Sequence, residues 1–429
     1  MKQPLDYKNC KGNYDRFADD VAKEDPELGE RLRVTQAIFR NCRRYVVKQK
    51  SAVTNIIIGL HSQNPQNPLS EDEVADLRAA WGDDPLFNAK MMGICAHVLL
   101  LGKPGRAKTV LCRVAAASIK ASFARIQCTV DLDPADVRGS AFLKPDGAIG
   151  YISGPIENNF ILADEVNRAT PKGLGSILEP MAEGRLTRNI NVGENAAKIE
   201  RTIFLPPPFY VVATMNPIEQ EGVYRLPEAQ QDRFAMQIPM TGISIESIMH
   251  VTEVNEHAYI KENIKPVATL EQILDIMQFI HDRVVMTPAA KRYTARLVKA
   301  LLPYNDLPFE EEEVDHEFTK AHAAILAKPL DLGDGLYTIG DVIEDTMYER
   351  MAIVMTSVAK TLAYLRGRRF VVPEDIKKMF PHISRHRIFL TRKAEALIQQ
   401  RRMLSCGRRL DRTELIERIL RHITAHVPD

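Results

Sequence analysis

The apolar segment HVLLL (residues 97–101) runs directly into Gly102-Lys103-Pro104-Gly105-Arg106-Ala107-Lys108-Thr109, and the helix-like VLCRVAAAS follows. A strand that stops at a glycine-containing loop and restarts as a helix at Lys-Thr gathers backbone N–H groups and a helix N-terminus around one point. That is the arrangement that wraps phosphates. In it Pro104, Gly105, Arg106, Ala107 and Val110 supply the loop and first turn around the nucleotide, and Lys108 neutralises the β and γ phosphates. Thr109 offers Mg²⁺ a small hydroxyl oxygen, which an aliphatic residue lacks. The usual pattern has glycine before the lysine where Ala107 stands here, so taken alone the motif also reads as a Gly-Pro turn that carries a lysine.

Two later segments give the loop its context. In NFILADEVNRA (residues 159–169) an apolar strand ends in Asp164-Glu165. Two adjacent carboxylates at a strand end repel unless a cation stands beside them. In the Walker B arrangement Asp164 orders Mg²⁺ through its water shell and Glu165 polarises the attacking water. The alternative is a strand ending in an exposed acidic turn. FYVVATMNP then supplies a third strand with Asn216 at its end, where an amide both donates to a phosphate oxygen and accepts from a water. Asn before Pro217 is also a common turn device, so its weight comes from standing third in the series.

Around these motifs, short apolar runs (HVLLL, FARIQ, NFILA, FYVVAT, FAMQI) alternate with helix-like or loop segments from 97 to 238, the pattern of a parallel sheet with helices on its faces. After Pro239 the periodicity turns helical, as in LEQILDIMQFIHDRV and MAIVMTSVAKTLAYLRG. The expected organisation is an N-terminal extension (1–43), an α/β core (44–240) with a surface insertion near 62–84, and an all-helical domain (241–385) with an acidic excursion near 303–340. A C-terminal arginine-rich helical segment (386–429) completes it.

Charge and cysteine content narrow the partners. Lys and Arg number 57 against 56 Asp and Glu, a formal net charge of +1 that sets up no global field for nucleic acid or an anionic membrane. The C-terminal arginines read as a charged face on packed helices, with nucleic-acid contact as the alternative. Six scattered cysteines without a CxxC pair fit neither a zinc cage nor a disulfide framework. No apolar run approaches the roughly 20 residues of a membrane span, and no signal peptide is legible, so a cytoplasmic protein is expected.

GKPGRAKT, ILADEVNRA, ATMNPIEQEGVYRLPEAQQDRF and the terminal RHRIFLT followed by HVPD resemble the MoxR family of AAA+ ATPases, in which Ala before the P-loop lysine is frequent. The resemblance implies an αβα core with a five-stranded parallel sheet, a helical lid, ATP and Mg²⁺ as cofactors, and a ring, usually hexameric, working as a chaperone-like remodeller. It implies a protein substrate or co-chaperone, often with a von Willebrand factor A domain. By the same resemblance Asn216 matches the sensor 1 position and Arg233 the arginine that reaches a neighbouring subunit's γ-phosphate, with Arg168 as a second candidate. Arg350 in YERMAIVM matches sensor 2, and Val46 and Val47 lie beside the adenine. Residues 133–155 and 186–205 match two hairpin insertions.

The expected activity is therefore Mg²⁺-dependent ATP hydrolysis by a ring that remodels or activates a protein. A nucleic-acid motor and a nucleotide-sensing scaffold with incidental turnover are the alternatives.

Overall fold

The computed structural model describes residues 14–46, 49–64, 74, 75, 78, 93–102, 108–145, 149–190, 199–216, 226–240, 264–302, 328–331, 336–400 and 410–428. They fall into two compact units, residues 1–284 with Tyr364–Arg369, and Val285–Ala363 with Phe370–Asp429.

The first unit is built on strands β1 (Val98–Leu101), β2 (Phe123–Gln127), β5 (Phe160–Asp164), β8 (Tyr210–Met215) and β9 (Met236–Pro239). They form one five-stranded sheet in the order β2-β5-β8-β1-β9, and every neighbouring pair is parallel. The central strands FILAD and YVVATM are buried at every position, as a sheet covered on both faces requires. At the edge, β2 alternates around buried Ile126, with Arg125 and Gln127 both on the exposed face.

Helices cover the sheet. α1 (Tyr14–Glu24) packs on α2 (Pro26–Tyr45), α2 packs on α4 (Lys108–Ser118), and α3 (Lys50–His61) lies against β1 and β9. α2 starts where Asp25 caps the Leu28 N–H and Pro26 fills the first turn. α5 (Pro171–Glu183) is capped by Thr170 and ends at Gly184, whose φ of 66° is the left-handed conformation that glycine tolerates. A further helix, α6 (Leu270–Arg283), packs on α2 and α3.

Two antiparallel hairpins interrupt the α/β alternation, β3–β4 (Gly139–Leu143 with Ile149–Ser153) and β6–β7 (Arg185–Ile190 with Ile199–Phe204). Both lie where the hairpin insertions are expected. β3–β4 leaves Phe142 and Ile152 exposed.

The second unit contains α7 (Pro288–Lys299), α8 (Tyr348–Leu365, as far as Ala363), α9 (Pro373–Ser384), α10 (Arg392–Gln399) and α11 (Arg412–His426). Short two-stranded ladders join some of its helix ends, among them Ile343–Thr346 with Ile388–Leu390. Its C-terminal arginines are engaged by acids of the same unit: Arg385 with Glu417, Arg412 with Glu395, and Arg418 and Arg421 with Glu414. Arg401, Arg402, Arg408 and Arg409, the densest part of the arginine-rich segment, lie outside the described residues.

Two expected boundaries fall elsewhere. The N-terminal segment expected as an extension forms α1 and α2 within the first unit. α6, expected to open the helical domain at 241–385, is counted with that unit as well, because its apolar face is buried against α2 and α3. Most of the 62–84 insertion and of the 303–340 excursion lies outside the described residues. Among the described residues no helix is long and apolar enough to cross a membrane.

A buried polar relay ties the first unit's helices together. His61 Nδ1 lies 2.8 Å from the Ile57 carbonyl, so Nδ1 carries the proton and Nε2 accepts from Thr35 Oγ1 at 3.4 Å. Thr35 also bonds the Tyr364 hydroxyl at 2.9 Å. Burial pulls the His61 pKa down to about 4, because a charged imidazolium there has no water. The unfolded chain takes up this proton near pH 6.5 and the folded chain does not. Stability is therefore complete above pH 6.5 and declines as pH falls from there toward 4, by about 3 kcal/mol for this group. Urea denaturation across that window should show the decline, and His61→Gln should make it shallower, leaving the part due to His382, which burial also lowers to about 4.

Candidate active site

The catalytic candidates gather where three neighbouring strands end. β1 stops at Leu101, and the Gly102 N–H is held by the Met215 carbonyl at 3.1 Å, which ties the start of the P-loop to the end of β8. Pro104, Gly105, Arg106 and Ala107 lie outside the described residues, as does Val47. Lys108 opens α4 and is buried, with Nζ donating to the Gly102 carbonyl at 2.8 Å. The lysine thus folds back over the start of its own loop. Thr109 follows half-buried in the first turn, and Val110 turns into the core. Val46 closes α2 as a buried residue whose N–H donates to Cys42.

At the end of β5 the chain turns sharply. Glu165 adopts φ 57° and ψ 47° before a 3₁₀ turn over Val166–Arg168. A non-glycine residue in this left-handed region costs roughly 1–2 kcal/mol, and hydrogen bonds over-determine it here. The Glu165 N–H donates to Thr214 Oγ1 at 2.9 Å, and its Oε1 accepts from Asn216 Nδ2 at 2.9 Å. Oε2 accepts from Gln127 Nε2 at 3.4 Å and pairs with Arg168 Nε at 3.1 Å. The strained turn aims the carboxylate at the asparagine on the neighbouring strand.

Asp164 is held as firmly. Its Oδ1 accepts from Thr214 Oγ1 at 2.5 Å, and its Oδ2 accepts from Arg125 Nε at 3.1 Å and Nη2 at 2.6 Å. Asn216 is 1% exposed and its backbone is fixed by Asn167, which donates to the Asn216 carbonyl at 3.0 Å. Among the described residues the Asn216 Oδ1 is buried with no hydrogen-bond partner. A buried acceptor left open at a strand end suits a donor brought by a ligand or its water.

Lys108, Thr109, Asp164, Glu165 and Asn216 are thus brought to one end of the sheet, while Arg168 is engaged in the chain by Glu165. Arg233 lies elsewhere. It precedes β9, whose Met236 pairs with Val98 at the start of β1, so the arginine sits at the opposite end of the sheet from Gly102. It is half-buried, and its guanidinium makes no hydrogen bond or ion pair among the described residues. Arg350 stands in the first turn of α8, in the second unit.

Sequence reading missed Arg125, Gln127, Thr214 and Asn167. FARIQ reads in the sequence as a strand, and Arg and Gln two apart around an isoleucine mark one polar face of it. Thr214 sits two residues before Asn216 and is buried on β8; a hydroxyl inside an apolar run is a signal of the same kind.

The donor set fits Mg²⁺. One carboxylate and one hydroxyl are hard oxygen ligands, and no group of three or more His, Cys, Asp or Glu side chains forms a metal cage among the described residues. Mg²⁺ commonly takes one or two protein oxygens and completes its shell with phosphates and water.

The profile of a family described as "ATPase family associated with various cellular activities (AAA)" matches residues 97–236, and an AAA lid domain matches residues 349–403. The chain is 32% identical to Chaperone MoxR1 of Mycobacterium tuberculosis over 324 residues, 73% of this chain and 74% of that protein. It is 26% identical to Protein MoxR of Methylorubrum extorquens over 75% of this chain and 86% of that protein. The crystal structure of a candidate ATPase from Cytophaga hutchinsonii superimposes with a TM-score of 0.65 at 28% identity, covering 94% of this chain and 98% of that one.

Proposed function

We propose that this chain, which belongs to the MoxR family of AAA+ ATPases, hydrolyses Mg²⁺·ATP as a ring oligomer and uses the cycle to remodel or activate a protein partner. The observation that carries the reading is the convergence of Asp164, Glu165 and Asn216 at the ends of adjacent strands, beside the helix that Lys108 and Thr109 open.

In this reading Lys108 leaves the Gly102 carbonyl for the β and γ phosphates, and the α4 N-terminus faces the phosphate chain. Thr109 and Asp164 would hold Mg²⁺, which supplies charge neutralisation across the phosphates when bound. Glu165 takes the proton from the attacking water, and Asn216 orients that water through its open Oδ1 while its Nδ2 keeps Glu165 in line. Arg233 acts on a neighbour's γ-phosphate: its own phosphate site lies at the other end of the sheet, and its guanidinium makes no hydrogen bond or ion pair among the described residues. Arg350, at the start of the lid match, is assigned to link lid position to the γ-phosphate. Val46 and Val47 are assigned to the adenine pocket.

The word chaperone in the name of the mycobacterial relative supports a protein partner. A hexameric ring and a partner with a von Willebrand factor A domain are what the family adds. The near-zero net charge of +1 speaks against a nucleic-acid motor.

Hydrolysis that depends on a neighbour's arginine depends on assembly. The ATPase rate per subunit is expected to rise with protein concentration in step with a size increase followed by light scattering on the same samples. A rate per subunit that stays constant from monomer upward would remove the ring from the mechanism.

A further inference from the structure

The Asp164 carboxylate already has a cation. Of its roughly four lone-pair positions, one accepts from Thr214 and two accept from the Arg125 fork. Arg125 reaches Glu165 as well: its Nη2 donates to Gln127 Oε1 at 2.6 Å, and Gln127 Nε2 donates to Glu165 Oε2 at 3.4 Å. One guanidinium on the edge strand is therefore tied to both acids of the site.

We propose that Arg125 is a positioning residue that serves as the counter-ion of Asp164 when no metal is present, and that it sets the Mg²⁺ concentration at which the site loads. The inference rests on the Mg²⁺·ATP reading above. Three observations carry it. The contact is charge-assisted, with two guanidinium nitrogens on a single carboxylate oxygen, and so stronger than a neutral hydrogen bond. The Arg125 side chain is 47% exposed, so it can swing to water at little desolvation cost, whereas Asp164 is 12% exposed and stays in place. And β2 and β5 are already paired in parallel from Phe123 to Gln127, so no strut is needed to join them.

A positive charge on Asp164 opposes the entry of a second cation. Removing it at a half-exposed contact is worth about fivefold in Mg²⁺ affinity. Lysine at this position keeps the charge and loses the fork.

The test is a Mg²⁺ titration of the full-length protein with a fluorescent N-methylanthraniloyl ATP, begun in EDTA at constant ionic strength, with folding of each variant checked by circular dichroism. Arg125→Gln is expected to lower the half-saturating Mg²⁺ about fivefold, and Arg125→Lys to stay within about twofold of the wild type. An unchanged or higher midpoint in folded Arg125→Gln overturns the proposal. If that variant does not fold, Arg125→Lys decides: a midpoint raised more than about fivefold means that the fork orients Asp164 for the metal, and the counter-ion role is lost. Wild-type nucleotide binding that is indifferent to Mg²⁺ would instead bring down the Mg²⁺·ATP reading itself, and this inference with it.

Discussion

Glu165→Gln is expected to bind ATP as tightly as the wild type and to hydrolyse it about 10²- to 10³-fold more slowly. The substitution is close to isosteric, and the amide can present its oxygen to Asn216 Nδ2 as the carboxylate does now. What disappears is a base. The 2.9 Å contact from Asn216 and the left-handed backbone place one carboxylate oxygen next to the open Asn216 Oδ1, where a water would sit. The stability cost is small, since the ion pair with Arg168 is partly exposed and such pairs contribute less than about 1 kcal/mol. Single-turnover hydrolysis and equilibrium nucleotide binding, measured on the same preparation, separate the two effects. A Glu165→Gln rate within fivefold of the wild type would mean that another group takes the proton, and the assignment of the paired acids would fail.

The elements that carry this chemistry are the ones most visible in the sequence. FILAD and YVVATM are continuous apolar runs that end abruptly in Asp-Glu and in Asn, because a central parallel strand is buried on both faces and its polar residues collect at its end. Asp164, Glu165 and Asn216 could be named for that reason. Arg125 and Thr214 could not, because their roles depend on which strands are neighbours: β5 lies between β2 and β8 in the sheet, far from either in the chain. Periodicity says which face a residue takes and leaves open what stands opposite. The same limit explains α6. LEQILDIMQFIHDR has a clear apolar stripe, but a stripe does not say whether it will be buried on the α/β core or among lid helices.

Arg233→Ala is expected to lose about 10³-fold or more in turnover while keeping its fold and its affinity for ATP. The fold should survive because the anchors of this turn are its neighbours: Phe234 is 1% exposed, Ala235 is fully buried and its N–H donates to the His97 carbonyl at 2.8 Å. Arg233 itself makes no hydrogen bond or ion pair among the described residues that its loss would break. The chain's own proposed phosphate site lies at the other end of the sheet. β1 and β9 run parallel for four residues, Val98 beside Met236 and Leu101 beside Pro239, so the ~10 Å ladder lies between Arg233, which precedes Met236, and Gly102, which follows Leu101. In the ring proposed above, a group so placed serves catalysis across a head-to-tail interface, in which each site takes its acids from one subunit and its arginine from the next. Mixing experiments read that geometry directly. Arg233→Ala subunits keep Glu165, and Glu165→Gln subunits keep Arg233, so two inactive proteins should form active sites where they meet. Random assortment of an equal mixture gives about a quarter of the wild-type rate. If the two variants co-assemble and bind nucleotide yet recover no activity, or if Arg233→Ala alone stays within tenfold of the wild type, Arg233 does not complete a neighbour's site, and the dependence of hydrolysis on assembly needs another residue.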